Sequence, residues 1–177
     1  MYPVIRMAKE IAIHRNAPRL GLFDTHVSHH VCWPQDIDLW VELNNGRTLT
    51  LYDLGRIVLF QRIGAREVMR ARGWGGTVAG SSIRYRRRVR MFDRIEMRSR
   101  IAGWDARFLY VDQSMWKGET CTSQVLLRSA ITSRAGLVTM AEVEAAFDAK
   151  SPPLPAWIAA WIAAEAERPW PPMPAPA

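Results

Sequence analysis

The feature that most constrains the fold is a helical pattern over residues 48–72 that is apolar on almost every side. Its apolar positions are Leu49, Leu51, Tyr52, Leu54, Ile57, Val58, Leu59, Phe60, Ile63 and Val68, with few polar residues between them in the first half. A helix without a polar face has to be surrounded by other structure, most naturally a curved sheet. The glycines of RGWGG, at 72–76, end the helix.

After this helix the pattern changes from helical spacing to strict alternation. Residues 76–135 contain four strand-like segments, with turns at the sequences FD (92–93) and KGE (117–119). Short connections join antiparallel neighbours, so the pattern predicts an antiparallel meander. Another β-prone segment, THVSHHVCW at 25–33, precedes the helix and is followed by Pro34. A long apolar helix wrapped by about five antiparallel strands predicts the α+β class.

Helical segments flank this unit on both sides. Residues 1–16 have an amphipathic pattern that predicts a helix, which either docks on the domain or lies peripherally on a membrane surface. Residues 139–149 and AWIAAWIAAEAE (156–167) predict two short helices. Trp157 and Trp161 are one turn apart and are expected to pack back on the domain; a partner-binding helix is the alternative.

These patterns divide the chain into three parts. Residues 1–22 are the N-terminal amphipathic helix and a linker, and residues 23–150 are the central domain. Residues 151–177 are a short helix and a Pro-rich tail, RPWPPMPAPA, which is expected to be extended or disordered.

Composition narrows the possible partners and the cellular compartment. The formal charge of +7 favours an anionic partner: nucleic acid, acidic lipid, an acidic carrier protein or a polyphosphate such as coenzyme A. Cys32 and Cys121 form neither a disulfide framework nor a zinc signature. His26, His29 and His30 lack an accompanying cluster of acids or cysteines, so no metal site is expected. No apolar run is long enough to span a bilayer and no signal peptide is recognisable, which predicts a cytoplasmic protein.

A polar segment, DIDLWVELNNGR at 36–47, precedes the long helix. Asp36 and Asp38 suit a turn, and either Asn44 or Asn45 suits the N-cap of the helix. The alternative is a site at the helix N-terminus, where unpaired N–H groups carry a partial positive charge. Both interpretations remain open from the residues alone.

The surrounding sequence, WPQDIDLWVELNNGRTLTLYDLGR at 33–56, resembles a known family. It is similar to the first-helix region of acyl-CoA thioesterases of the 4-hydroxybenzoyl-CoA thioesterase type, and within them to the subgroup of thioesterase superfamily member six. The residues in register are Pro34, Asp36, Asp38, Asn44, Asn45, Arg47, Asp53 and Arg56. AGWDARFLYVDQSMW (102–116) and YPVIRMAK (2–9) also resemble the subgroup, so the resemblance covers about residues 2–145. It implies the hotdog fold, in which a curved antiparallel sheet wraps a long central helix.

The resemblance also implies an activity and roles for particular residues. Asp38 would act as the nucleophile or as the general base for water, and a backbone N–H near Asn45, beside Asn44, would bind the oxyanion. No cofactor is implied, since coenzyme A is part of the substrate, and the site is expected between subunits of a homodimer or homotetramer. Two positions differ from the family pattern: Glu42 replaces a histidine and Thr48 a tyrosine. Glu42 adds a like charge near Asp38 and puts the activity in question.

Several charged residues are candidates for binding substrate. Asp53 and Arg56 are three residues apart on the predicted helix, which fits an ion pair as well as a substrate contact. Arg47 belongs to the same candidate set. In RYRRRVR, at 84–90, a strand would place Arg84, Arg86, Arg88 and Arg90 on one face. That face suits the phosphates of coenzyme A, an acidic carrier protein or plain solvent.

Three functions follow from the sequence. The first is an acyl-CoA thioesterase, and the second is a non-catalytic protein that binds an acyl thioester or an acyl-carrier protein. The third, a basic nucleic-acid-binding domain, is disfavoured because few aromatic residues alternate with the arginines.

Overall fold

The structure is a computed structural model and describes residues 2–172. Its helices are α1 (Val4–Ile13), α2 (Asn45–Arg62), α3 (Ala65–Arg72), α4 (Met140–Phe147) and α5 (Ala156–Ala166). Its strands are β1 (His26–Val31), β2 (Gly75–Tyr85), β3 (Arg94–Trp104), β4 (Leu109–Lys117), β5 (Thr120–Ser133) and the two-residue β6 (Gly136–Leu137). The end of the predicted Pro-rich tail, residues 173–177, lies outside the described residues.

The strands form one antiparallel sheet in the order β1-β3-β4-β5-β2, and β6 pairs with the end of β5. The meander of β3, β4 and β5 is confirmed. The expectation that β2 turns directly into β3 is wrong, because β2 pairs with β5 while β3 pairs with β1. The segment 86–93 crosses between these positions. It leaves the sheet where the N–H groups of Arg86 and Arg87 both donate to the carbonyl of Thr122, at 2.8 and 3.1 Å.

The predicted apolar helix lies against the sheet, but it is two helices. The chain breaks at Gly64, whose φ of 77° is in the left-handed region that glycine tolerates. Leu51, Tyr52 and Leu54 of α2 are fully buried. Gly55 brings the helix backbone close to β3, because a Cβ there would lie only 2.6 Å from the Oγ of Ser99. The α+β class and the wrapped central helix are therefore confirmed.

A buried polar network fixes the position of α2 along the sheet. The side-chain amide of Gln113 donates to the carbonyl of Tyr52 at 2.9 Å and to the Oγ of Ser99 at 2.8 Å. The hydroxyl of Tyr52 is 2.8 Å from the Oγ of Ser123 on β5. Because buried polar groups are costly when unpaired, these contacts penalise any sliding of the helix.

The C-terminal helix packs on the outer side of the sheet. Ile158 is fully buried and packs with Tyr110 and Leu126. The ring of Trp161 meets that of Tyr110 edge to face, with centroids 6.4 Å apart. Packing of Trp161 back on the domain is thus confirmed, whereas Trp157 remains about half exposed.

α1 docks beside β1 and α2 through polar contacts. Glu10 is only 4% exposed, and its carboxylate lies 3.8 Å from the Nδ1 of His30 and 3.9 Å from the Nδ1 of His14. The Nε2 of His30 is 2.9 Å from the Oγ of Ser28, also buried. Next to this group, the guanidinium of Arg62 lies 3.1 Å from the Nδ1 of His26. In the structure the N-terminal helix docks on the domain, which is one of the two predicted alternatives.

Burial beneath α1 changes the pKa values of these groups. Desolvation, with smaller contributions from neighbouring cations, lowers the pKa of His26 to about 4 and that of His30 to about 3. Desolvation also raises the pKa of Glu10 above its usual value. The folded state therefore holds both histidines neutral.

We predict that acid weakens the fold through these histidines. Below pH 6.5 His26 and His30 are protonated in the unfolded chain but stay neutral in the folded protein. The free energy of unfolding therefore falls with pH until the folded pKa values of about 4 and 3 are reached. Each histidine contributes up to ~3 kcal/mol of this loss between pH 7 and pH 4. The raised pKa of Glu10 acts in the opposite sense, because the folded state binds that proton more readily.

Urea unfolding at a series of pH values measures this dependence. His30→Gln should flatten the slope of the free energy of unfolding against pH, because glutamine does not titrate. His29→Gln is the matched control, since the side chain of His29 is 75% exposed, and it should keep the wild-type slope. Equal slopes for His30→Gln and wild type would contradict the prediction.

Candidate active site

A short loop leads into the N-terminus of α2 and carries the candidate catalytic acid. Ile37 and Leu43 form an antiparallel bridge, and next to it the N–H of Asp38 donates to the carbonyl of Glu42 at 2.9 Å. We call residues 37–43 the acid loop. Opposite residues of an antiparallel pair extend their side chains to the same side, so Asp38 and Glu42 are neighbours there.

Only one oxygen of Asp38 is used to hold the acid loop. Its Oδ1 accepts the N–H of Trp40 at 2.9 Å and makes a longer contact, 3.5 Å, with the N–H of Glu42. Its Oδ2 has no hydrogen-bond partner within residues 2–172. The carboxylate is therefore held in place and still has an oxygen free to accept a proton or to attack.

The first turn of α2 has a defined cap. Asn44, rather than Asn45, is the N-cap: its Oδ1 accepts the N–H of Gly46 at 2.9 Å and that of Arg47 at 3.1 Å. The carbonyl of Asn44 accepts the N–H of Thr48 at 2.8 Å. Among the described residues the N–H of Asn45 then has no acceptor. Such a free amide at a helix N-terminus suits a developing negative charge.

Asp36, the first acid of the motif, has a structural environment quite unlike that of Asp38. It is fully buried, and its Oδ1 accepts two N–H groups of Arg47, at 3.2 and 2.8 Å. Its Oδ2 accepts from Arg6 of α1 at 2.6 Å and from the N–H of Trp33 at 3.1 Å. Burial alone would raise the pKa of Asp36, but these hydrogen bonds outweigh it and hold the pKa below its usual value. We call Arg6, Asp36 and Arg47 the Asp36 clamp.

The clamp contains a residue that the sequence did not single out. Arg6 is separated from Asp36 by thirty positions, and nothing in the pattern of the first helix marks it as a partner. Arg47, a candidate for substrate binding, is occupied by Asp36 instead.

A cleft opens at the N-terminus of α2, and we call it the α2 cleft. Its volume is about 190 Å³. The polar residues that line it are Glu42, Asn45, Thr48, Tyr85, Arg86, Arg87, Arg88, Thr122 and Ser123. The crossing segment 86–93 supplies the arginines, and the hydroxyl of Tyr85 donates to the carbonyl of Asn45 at 3.2 Å.

Glu42, at the position where the resemblance implies a histidine, has a positive partner. Its Oε2 lies 2.8 Å from the Nε of Arg88, although the geometry is that of an ion pair and not of a directed hydrogen bond. The negative charge of Glu42 is therefore compensated by Arg88 within the α2 cleft, whose lining does not include Asp38.

The remaining candidate residues lie elsewhere. Arg84 is still on β2 and lines a separate groove with Trp157. The prediction that Arg84, Arg86, Arg88 and Arg90 share one face of a strand is wrong, because β2 ends at Tyr85. Asp53 and Arg56 form an ion pair with each other.

A mainly apolar cavity of about 310 Å³ lies between α2, the sheet and α4, and we call it the α2 cavity. Its lining includes Ile57, Phe60, Val78, Ala130 and Val143, with Arg56 as the one charged side chain among the described residues. This volume is at the lower end of the range for small-molecule sites.

No group of three or more His, Cys, Asp and Glu side chains in residues 2–172 could hold a metal ion. None of the helices in that range is long and apolar enough to cross a membrane.

The two acids of the motif should respond differently to the same substitution. Asp36→Asn leaves two partly buried guanidinium groups without their carboxylate, so we expect a loss of about 3 kcal/mol in the free energy of unfolding. Asp38→Asn should stay within about 1 kcal/mol of wild type, because the amide oxygen still accepts the N–H of Trp40. Urea denaturation of both variants measures the difference; similar losses would contradict this division of roles.

Comparisons with known proteins agree with this architecture. The model of the Thioesterase-like superfamily matches residues 32–162. Protein THEM6 of Xenopus laevis is 35% identical over 92 residues, which are 52% of this chain and 44% of that protein. Protein THEM6 of Drosophila melanogaster is 31% identical over 91 residues, 51% of this chain and 47% of that protein. The match thus spans less than half the length of these relatives.

A solved structure supports the fold independently. The probable thioesterase YbaW from Escherichia coli superposes with a TM-score of 0.64 at 14% identity, covering 68% of this chain and 94% of that chain. Because the family model extends from the acid loop through the sheet to α5, this chain belongs to the Thioesterase-like superfamily, whose members have the hotdog fold.

Proposed function

We propose that this protein hydrolyses acyl-CoA thioesters at the N-terminus of α2. The observation that carries the proposal is the free N–H of Asn45 in the first turn of α2, next to the acid loop whose Asp38 keeps Oδ2 unpaired. An oxyanion donor and a carboxylate are the two groups that thioester hydrolysis needs, and neither requires a metal.

The chemistry assigns one task to each group. The thioester oxygen accepts the N–H of Asn45, and the partial positive charge of the helix N-terminus stabilises the negative charge that develops on it. The carboxylate of Asp38 either takes a proton from the attacking water or attacks the carbonyl carbon itself. The C–S bond then breaks, and coenzyme A leaves as a thiolate that regains a proton. When water is the nucleophile, the acyl group leaves directly as a carboxylic acid. When Asp38 is the nucleophile, the acyl group stays on its carboxylate as a mixed anhydride, which a water molecule then hydrolyses to the free acid and Asp38.

The arginines of the crossing segment suit the other end of the substrate. Arg86, Arg87 and Arg88 border the α2 cleft, and guanidinium groups pair well with phosphate. We propose that they bind the phosphates of coenzyme A, or of the prosthetic group if an acyl-carrier protein delivers the thioester. Glu42 leaves this region net positive, because it neutralises only one of the three.

A second copy of the chain is part of the proposal. β2 pairs with β5 on one side, and its other edge has no partner strand among the described residues. An open edge of eleven residues is normally covered or paired. We propose that the protein is a homodimer in which the β2 edges of two copies pair.

Turnover tests the proposal directly. Release of free thiol from short, long and aromatic acyl-CoAs is measured for wild type, for Asp38→Asn and for the control Asp148→Asn. Asp148 is exposed at the end of α4, and its left-handed backbone also suits asparagine. We expect Asp38→Asn to lose at least ~100-fold in kcat and to keep its KM, because the carboxylate acts in the chemical step.

The contrary outcomes are distinct. If Asp38→Asn and wild type hydrolyse equally fast, the assignment of Asp38 is wrong. If wild type hydrolyses no acyl-CoA but binds one in calorimetry, the protein is the non-catalytic thioester binder, and Glu42 at the family histidine position is the first difference to reverse.

We further propose that the α2 cavity receives the acyl chain, because its lining is largely apolar and the charge of Arg56 is paired with Asp53. Ala130→Leu would fill part of the cavity and should lower kcat/KM for long acyl chains ~10-fold relative to short ones. Ala71→Leu, exposed on α3, is the matched control. An unchanged ratio in Ala130→Leu, with an unchanged melting temperature, would place the chain elsewhere.

A further inference from the structure

α1 presents its apolar side to solvent. Val4, Ile5 and Ile13 are 65%, 86% and 59% exposed, and Ala8 and Ala12 are exposed between them. The opposite side, which faces the domain, carries the polar or charged residues Arg6, Glu10 and His14 along with the apolar residues Met7 and Ile11. A surface helix of a globular protein normally has the reverse arrangement. We call the exposed residues Val4, Ile5, Ala8, Ala12 and Ile13 the α1 ridge.

The polar contacts of α1 fix this orientation. Rotating the helix to bury Ile5 would withdraw Arg6 from Asp36, to which it donates at 2.6 Å. It would also remove Glu10 from the buried pocket that it shares with His30. Both changes leave buried polar groups unpaired. The free-energy cost of these unpaired groups exceeds the stabilisation gained by burying one isoleucine.

A strongly basic groove runs along the ridge. Its volume is about 1200 Å³, and its charged lining residues are Arg15, Arg19, Arg62, Arg66, Arg70 and Glu67. Within residues 2–172, Arg15 and Arg70 have no acidic partner, and Arg66 contacts only the neutral side chain of Gln61. Ala8 and Ala12 line this groove as well as belonging to the ridge, so the two surfaces are continuous. We call it the arginine groove.

An apolar helix face beside unpaired cations has the chemistry of a membrane-surface contact. The ridge matches the hydrocarbon boundary, and the arginines match anionic headgroups. A helix of ten residues offers few apolar side chains, so binding needs both components. A second copy fits poorly, because a two-fold contact would bring the arginine groove of one protomer against that of the other.

We propose that the α1 ridge and the arginine groove together dock this protein on an anionic lipid surface. The lysine on the exposed side, Lys9, has the long stem that lets an ammonium stay at the headgroup level while its neighbours insert. The site is separate from the proposed chemistry, because Arg62 and Asn45 are at opposite ends of α2. Binding is therefore measurable without any turnover.

Co-sedimentation with vesicles tests the proposal. Wild type should bind vesicles of roughly 3:1 phosphatidylcholine and phosphatidylserine and not vesicles of phosphatidylcholine alone, with binding weakened by salt. The double variants Ile5→Ser/Ile13→Ser and Arg66→Gln/Arg70→Gln should each lower the partition coefficient about tenfold or more. Leu137→Ser and Arg134→Gln, both exposed near β6, are matched controls that should bind as wild type does.

Because the substituted side chains are exposed, the variants should keep the wild-type melting temperature. If the double isoleucine variant has a lower melting temperature, the single variant Ile5→Ser replaces it in the vesicle-binding experiment. Equal binding to both kinds of vesicle, no binding to either, or equal losses in the controls would overturn the proposal. If the mass in solution of Ile5→Ser/Ile13→Ser is lower than that of wild type, the proposal is also overturned, because the ridge would then be an interface between copies.

Discussion

The Asp36 clamp is the interaction on which the candidate site depends. One buried carboxylate joins Arg6 of α1, Arg47 of α2 and the backbone before the acid loop. A buried ion pair adds little net stability, but it allows few alternatives, since any displacement strands a charge. The carbonyl of Asp36 also accepts the N–H of Asn44, the cap of α2. The start of the acid loop and the start of the helix are thereby fixed relative to each other, which is what a carboxylate and an oxyanion donor require.

The topology of the sheet supplies the rest of the site. Because β2 pairs with β5 while β3 pairs with β1, the chain has to cross between them, and the crossing segment passes the N-terminus of α2. Arginines that a simple hairpin would have spread along a strand face are gathered beside Asn45 instead. Glu42, at the position where the resemblance implies a histidine, then meets Arg88, so this acid has a cation beside it.

The sequence predicts helices and strands well where the apolar residues repeat with a single period, either helical or alternating. The apolar helix, the alternation of β3 to β5 and the capping of α2 all follow from local patterns. The break at Gly64 was missed because both sides of it keep helical spacing. The partner of β2 was missed because alternation identifies a strand but not its neighbour. Arg6 could not be found, since its pairing with Asp36 arises only after α1 and the acid loop meet in space. The resemblance located Asp38, yet only the structure separates its free oxygen from the fully paired Asp36.

The inverted orientation of α1 has a single physical origin. The helix is amphipathic, but the pocket that it covers contains His26, His30 and the carboxylate of Asp36, which are polar and buried. This pocket accepts Arg6 and Glu10 and would penalise isoleucine at their positions, while Met7 and Ile11 pack on the core beside it. The larger apolar side of α1 is therefore left facing solvent. The same ion pair that steadies the acid loop therefore sets the exposure of the α1 ridge. Any surface that covers the ridge would favour the docked helix, and through Arg6 and Asp36 it would favour the arrangement that joins the start of the acid loop to the start of α2.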